Sequence, residues 1–135
     1  MMEFSWPVRV YYEDTDAGGV VYYANYLKYL ERARTELLRK LGFEQDQLAQ
    51  QECIIFAVHR VVIDYLKPAF FNELLKVNAK IAEVRKASMV FEQSILNQQD
   101  ESLCQAEIKI ACLDKNTMKP VSIPASIISE LAHVD

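Results

Sequence analysis

With 135 residues, 51% of them hydrophobic and 25% charged, the chain is long enough to bury one core and too balanced in composition to be disordered. The net charge is −4 and the cations are scattered rather than gathered in a stripe, which argues against general nucleic-acid binding, a process that leans on phosphate neutralisation. The longest apolar run, "CIIFAV" (53–58), is far short of the ~20 residues of a spanning helix, and the N-terminal "MMEFSWPVRV" has an acid where a signal peptide needs a basic region, so a cytoplasmic protein with no transmembrane segment is expected.

In chain order, the alternation of Val8, Val10 and Tyr12 against Arg9 and Tyr11 predicts a first strand from Phe4 to about Tyr12. A loop holding two aspartates and two adjacent glycines follows. A helix is then predicted from about Tyr22 to Leu41, ended by Gly42, with Tyr22, Tyr26, Leu30, Ala33, Leu37 and Leu41 on one face. Lys28, Glu31, Arg32, Thr35 and Arg39 fall largely on the other, where Arg32 and Glu36 are spaced to pair. The polar stretch "EQDQLAQQE" (44–52) suits a further short helical turn.

The period then changes. "CIIFAVHRVVIDY" (53–65), "LLKVNAKIAEV" (74–84), "SMVFEQSIL" (88–96) and "LCQAEIKIACL" (103–113) read as four strands, expected to pair antiparallel in succession. In the last of them Cys104, Ala106, Ile108, Ile110 and Cys112 share one face. "IPASIISELA" (123–132) reads as a short terminal helix with a proline near its start. The chain is expected to form a single domain, 1–135. One helix covers only one face of a five-stranded sheet, so the other face or an edge is expected to be buried by self-association.

Few residues offer metal or nucleophile chemistry. Cys53, Cys104 and Cys112 form no CxxC, and free, partly buried thiols are expected. His59 and His133 are far apart, and His59 sits in an alternating strand, where a structural role is the plain reading. No metal site and no cofactor are expected. Asp16, ahead of Gly18 and Gly19, has the plain reading of a turn or capping acid, and the glycines that of positive-φ positions. Arg85 and Lys86, with Ser88 adjacent, lie in a charged turn, and Glu31 suits a salt bridge with Arg34 or with a partner chain.

The stretch "YYEDTDAGGVVYYANYLKYLERAR" (11–34) resembles the signature of hotdog-fold acyl-CoA thioesterases of the 4-hydroxybenzoyl-CoA thioesterase type, and is most similar to the branch associated with the bacterial Tol-Pal system. Further similarity lies in "WPVRV" (6–10), "DYLKPA" (64–69), "MVFEQSI" (89–95) and "MKPVSIP" (118–124), so the resemblance spans nearly the whole chain. It implies an α+β hotdog fold, a long central helix wrapped by a five-stranded antiparallel sheet, in homodimers or homotetramers with sites between subunits.

By the same resemblance, Asp16 takes the position of the catalytic carboxylate, as general base or as nucleophile, while Asp14 shapes the loop. Backbone N–H groups near Tyr23, at the helix start, are implied as oxyanion donors. Gly18, Gly19 and Val20 would border the thioester, and Arg85, Lys86 and Ser88 would meet the phosphates of coenzyme A, which enters as part of the substrate. The chain departs from many Tol-Pal-associated relatives in carrying Tyr23 where they carry histidine, so no imidazole acts there. The chemistry tolerates that loss, because a thiol leaving group with a pKa near ~8.5 departs without strong protonation.

The implied activity is hydrolysis of an acyl-CoA, or of an acyl-carrier-protein thioester, to a free acid and a thiol. The alternative is a non-catalytic acyl-thioester-binding protein acting through partners in phospholipid or envelope metabolism. A hotdog dehydratase would want a histidine in the site, and neither His59 nor His133 lies in the motif.

Overall fold

The computed structural model describes residues 3–131. Five strands, β1 (Phe4–Arg9), β2 (Ile54–Tyr65), β3 (Leu74–Val84), β4 (Ser88–Leu96) and β5 (Ser102–Asp114), form one antiparallel sheet in the order β1-β3-β4-β5-β2. Helix α1 (Asn25–Lys40) lies on one face, α2 (Gln45–Gln51) follows it, and α3 (Ala125–Leu131) comes last. His133 and the end of the predicted terminal helix lie outside the described residues.

Successive pairing fails at one point. Strands β3, β4 and β5 form hairpins with their sequence neighbours, but β2 pairs with β5, from Ile54 opposite Asp114 to Tyr65 opposite Cys104. The segment 66–73 instead carries the chain across two strands to the far side. Eight extended residues reach about 26 Å, whereas three strand spacings take about 14 Å. β1 also ends early, at Arg9, because Tyr12–Asp14 close into a 3-10 turn, which leaves Tyr12 77% exposed rather than aligned with Val8 and Val10.

Helix α1 starts three residues later than predicted. The N–H of Tyr22 is taken by the Asp14 carbonyl, and Tyr22–Ala24 form a turn before regular helix begins. Its C-terminus follows expectation: Gly42, at φ +97°, donates to the Arg39 carbonyl and Phe43 to that of Leu38, the paired bonds of a Schellman cap. The buried face holds Tyr26, Tyr29, Leu30, Ala33, Arg34, Leu37 and Leu38, while Tyr22 is exposed. Tyr29 and Leu38 therefore replace Tyr22 and Leu41 in the predicted stripe. Glu36 pairs with Arg39, at 2.5 Å, and not with Arg32, whose guanidinium lies 5.7 Å from the Tyr29 ring centroid.

The inner sheet face supplies Val77, Ala79, Ile81, Phe91, Ile95 and the five predicted β5 positions, all buried against α1 or its flanks. Full burial of each large side chain, such as Phe91 or Ile108, contributes roughly 1.5–3 kcal/mol. The outer face is different. Asn78, Ser94, Gln105 and Asp64 form one cross-strand row, and Lys80, Glu92 and Glu107 lead the next. Such a face is stable in water, so of the face or edge expected to be buried by self-association, the edge is the one in need of cover.

What lacks cover is β2. It is an edge strand of 12 residues, with Val58, Val61 and Val62 exposed. Helix α1 packs over β3, β1 and β4 and α2 over β2, which leaves a groove between α1 and the middle of β2, at Val58 and Val61. His59 falls at the register shift between Val58 and Arg60 and is exposed. Cys53 is exposed, while Cys104 and Cys112 are buried, and all three are free thiols.

Candidate functional site

The loop between β1 and α1 is built around its two aspartates, which have separate tasks. Asp14 is buried. Its Oδ2 accepts from the Tyr11 N–H at 2.8 Å, and its carbonyl accepts from the Tyr22 N–H at 2.9 Å and from Asn25 Nδ2 at 2.8 Å. This one residue therefore ties the 3-10 turn to the start of the helix. The Tyr29 hydroxyl is fully buried, and burial first, then the Asp14 carboxylate, pushes it well above the usual phenol range.

Asp16 sits at the head of a narrow turn. Its N–H donates to the Val20 carbonyl at 2.9 Å and its carbonyl accepts from Gly19 at 3.0 Å, with Thr15 bridged to Val21. Oδ1 accepts from the Gly18 N–H at 2.8 Å, and the side chain is exposed. Gly19 takes φ +84°, where an L side chain is strained. At Gly18 the constraint is a close approach, because a Cβ there would stand 3.2 Å from Asp16 Oδ1 and crowd it. Val20 bridges Phe70, and Val21 donates to the Ala69 carbonyl, which stitches the turn to the segment after β2.

At the helix start, the N–H groups of Tyr22, Asn25, Tyr26 and Leu27 are taken by the carbonyls of Asp14, Tyr22, Tyr23 and Ala24. Among the described residues no acceptor takes those of Tyr23 and Ala24. Two unengaged amides beside an acid turn, at the positive end of a 16-residue helix, are suited to a developing negative charge.

Aromatic rings enclose this point. Tyr23 meets Tyr22 at 4.9 Å and stands edge-on to Tyr65 at 6.0 Å, and Tyr65 lies 5.6 Å from Tyr26. The Tyr26 hydroxyl accepts from the Ala69 N–H at 3.0 Å, which fixes that ring. Tyr65, Ala69 and Asn25 escape a reading of the residues one by one. Their contribution depends on β2 ending beside the start of α1, a tertiary fact.

Arg85, Lys86 and Ser88 lie elsewhere. The Arg85 side chain donates to Glu83 at 2.6 Å, its N–H donates to the Ser88 carbonyl, and the Lys86 carbonyl accepts from Ile123. They occupy the turn after β3, whereas the Asp16 turn is bridged to Phe70, ahead of β3. The 11 residues of β3, about 35 Å when extended, lie between the two turns. Within one chain they are not brought together. Glu31 accepts from the Thr35 hydroxyl at 2.8 Å and makes no ion pair with Arg34. Among the described residues no three His, Cys, Asp or Glu side chains gather as a metal ligand set, and no helix is long and apolar enough to cross a membrane.

A five-stranded antiparallel sheet around one long helix is the hotdog architecture of thioesterases that this fold matches. Residues 10–131 match the thioesterase-like superfamily, and the chain belongs to that family. It is 46% identical over 127 residues to the acyl-CoA thioester hydrolase YbgC of Escherichia coli O6:H1, covering 94% of each chain. It is likewise 46% identical over 131 residues to the acyl-CoA thioesterase YbgC of Haemophilus influenzae, covering 97% of this chain and 96% of that one. The fold matches the crystal structure of a probable thioesterase from Bartonella henselae with TM-score 0.87 at 35% identity, over 91% of this chain and all of the other. The protein is an acyl-CoA thioesterase, a thioester hydrolase.

Proposed function

We propose that Asp16 is the catalytic carboxylate and that the N–H groups of Tyr23 and Ala24 hold the thioester oxygen. The observation that carries this reading is the pairing of an exposed acid turn with the two unengaged amides at the helix start. On the general-base route, Asp16 takes a proton from water as the water oxygen bonds to the carbonyl carbon. The oxyanion of the tetrahedral intermediate lies on the two amides. Its collapse expels CoA thiolate, which receives the proton. On the nucleophilic route an Asp16 oxygen attacks directly, giving a mixed anhydride and CoA thiolate, and water then cleaves the anhydride. No metal or redox cofactor enters either route. The Tyr23 side chain lines the site and carries no proton.

The substrate site is completed by a second copy of the chain. Antiparallel pairing of β2 edges would set the 85–88 turn of one protomer toward the Asp16 end of the other, where Arg85, Lys86 and Ser88 would meet the CoA phosphates. The long apolar edge of β2 and the separation of the two groups within one chain support this dimer. Two such dimers would make the homotetramer. Gly18, Gly19 and Val20 border the thioester. A CoA-dependent activity fits a cytoplasmic enzyme, and the resemblance of residues 11–34 to the Tol-Pal-associated branch is what supports a link to that system.

The test is thiol release from a panel of acyl-CoAs and acyl-carrier-protein thioesters by wild type and Asp16→Asn. A loss of ~100-fold or more in the variant, at unchanged fold, supports the assignment. Equal turnover sinks it, and acyl-CoA binding without turnover by the wild type would mark a binding protein. A single turnover in ¹⁸O-water that labels Asp16 establishes the nucleophilic route with water attacking the aspartyl carbonyl, and trapping of the anhydride by hydroxylamine tests that route where water attacks the acyl carbonyl.

A further inference from the structure

A groove of about 540 Å³ runs between α1 and β2, floored by Val58, Val61 and Ile108. Its upper end lies one helical turn below Tyr23, where Tyr23 meets Tyr65. Under the reading above, the thioester carbonyl sits at that end, and the acyl chain extends down the groove.

The lower wall carries Arg34, only 8% exposed. A buried guanidinium is costly unless an acid or several acceptors surround it. Here its NH1 donates to Gln93 Oε1 at 3.0 Å, and Gln93 is oriented by donating through Nε2 to the Leu30 carbonyl at 3.0 Å. The arrangement gives Arg34 a neutral acceptor. Among the described residues no carboxylate stands within ion-pair distance of it. Burial lowers its pKa, which Glu31 opposes through space. The remaining donors of the fork suit a planar two-oxygen anion.

The rest of the wall has the same sign. Lys28, Arg32 and Arg34 face a single acid, Glu31, which is engaged by Thr35. Arg34 lies 11 residues beyond Tyr23, a rise of about 16 Å, and helical side chains lean back toward the N-terminus.

We propose that Arg34 is a specificity residue that binds the far end of the acyl group, and that the preferred substrate is an acyl-CoA whose chain ends in a carboxylate. This inference rests on the thioester lying at the Tyr23 end of the groove. The apolar floor takes the methylenes, and the guanidinium takes the terminal carboxylate.

The test uses the Asp16→Asn protein, with binding followed by calorimetry and thiol release recorded in the same samples. The ligands are succinyl-, glutaryl-, adipyl- and suberyl-CoA, each against the unsubstituted acyl-CoA of equal carbon number. At the matching length the dicarboxylic ligand is expected to bind at least ~10-fold more tightly, the scale of a charge-assisted hydrogen bond. Adding Arg34→Met should abolish that preference, while Arg34→Lys should keep part of it. If no length shows the preference, or if the Arg34→Met protein retains it, the proposal is overturned. Should Arg34→Met not fold, the length series and Arg34→Lys decide, since a lysine that preserves the full preference also overturns it. Undiminished thiol release by Asp16→Asn would instead sink the catalytic assignment and leave the binding comparison standing.

Discussion

The Gly18 N–H donates to Asp16 Oδ1 at 2.8 Å, and a Cβ on Gly18 would stand 3.2 Å from that same oxygen. The backbone that orients the carboxylate thus sits close enough that a side chain there would press its oxygen aside by a few tenths of an ångström. Gly19, next along, has open space around its missing Cβ and a φ of +84°. The two glycines are constrained for different reasons, which substitution can separate.

Gly18→Ala is expected to lower kcat by ~10-fold or more, through misplacement of Asp16, with stability nearly unchanged. Gly19→Ala is expected to cost about 1 kcal/mol of stability from its left-handed backbone. Steady-state kinetics beside thermal melts distinguish them. A Gly18→Ala protein with full kcat would show that the Asp16 carboxylate position does not matter to the rate.

Asn25 joins the helix start to the loop through its bond to the Asp14 carbonyl. Asn25→Ala removes that bond and is expected to destabilise by about 1 kcal/mol, or roughly 3–6 °C in Tm. Activity should fall further than stability, because the same change loosens the turn that presents the Tyr23 and Ala24 amides. Equal losses measured for Asn25→Ala and for a distant variant of matched Tm would remove the link to the site.

Burial pushes the Cys104 thiol up from 9.0 to about 12, while Cys53 is exposed. Between about pH 9 and 12 the unfolded chain has released the Cys104 proton and the folded chain still binds it, so stability falls as pH rises through that window. Cys104→Ala should flatten this part of the pH–stability curve, read by denaturant melts. A disulfide reagent near neutral pH should titrate Cys53 in the native protein and reach Cys104 and Cys112 after unfolding. Rapid labelling of all three thiols in folded protein would contradict their burial.

A site shared between subunits predicts complementation. Asp16→Asn homodimers and Arg85→Glu/Lys86→Glu homodimers should each be poorly active, the first in kcat and the second chiefly in KM for CoA thioesters. Mixing them under subunit exchange should restore part of the activity, since one site in the hybrid keeps both intact halves. Val58→Lys or Val62→Lys on the β2 edge should shift the dimer toward monomer in analytical ultracentrifugation. Hybrids without recovery, formed at verified exchange, would return the 85–88 turn to a solvated loop.

Four strands were legible in the sequence to within a residue, β2 from its run of β-branched and aromatic residues and the other three from alternation. In β3, β4 and β5 one face is buried and the other wet, so period-2 alternation is imposed by burial itself, as with Cys104 to Cys112. The end of α1 was equally readable, because a left-handed position after a helix selects glycine, and Gly42 fills it. The start of α1 was not. The spacing of Tyr22 and Tyr26 continues the helical stripe, yet the Asp14 carbonyl takes the Tyr22 N–H and holds back the first turn.

Local pattern thus determined the kinds of element, the core face of each strand, and an acid-glycine turn ahead of a helix. The tertiary structure decided what those elements meet: that β2 leaves β3 and becomes an edge, that Tyr65 reaches Tyr23, and that Arg85 lies beyond the far end of β3 from the segment bridged to the Asp16 turn. It also decided that Arg34, on a helix with ample exposed face for a cation, faces inward to Gln93. The physical division is one of range. Burial and backbone geometry act within a few residues and leave a period or a glycine behind. The pairing of distant segments depends on the summed packing of the whole sheet, which no short stretch records.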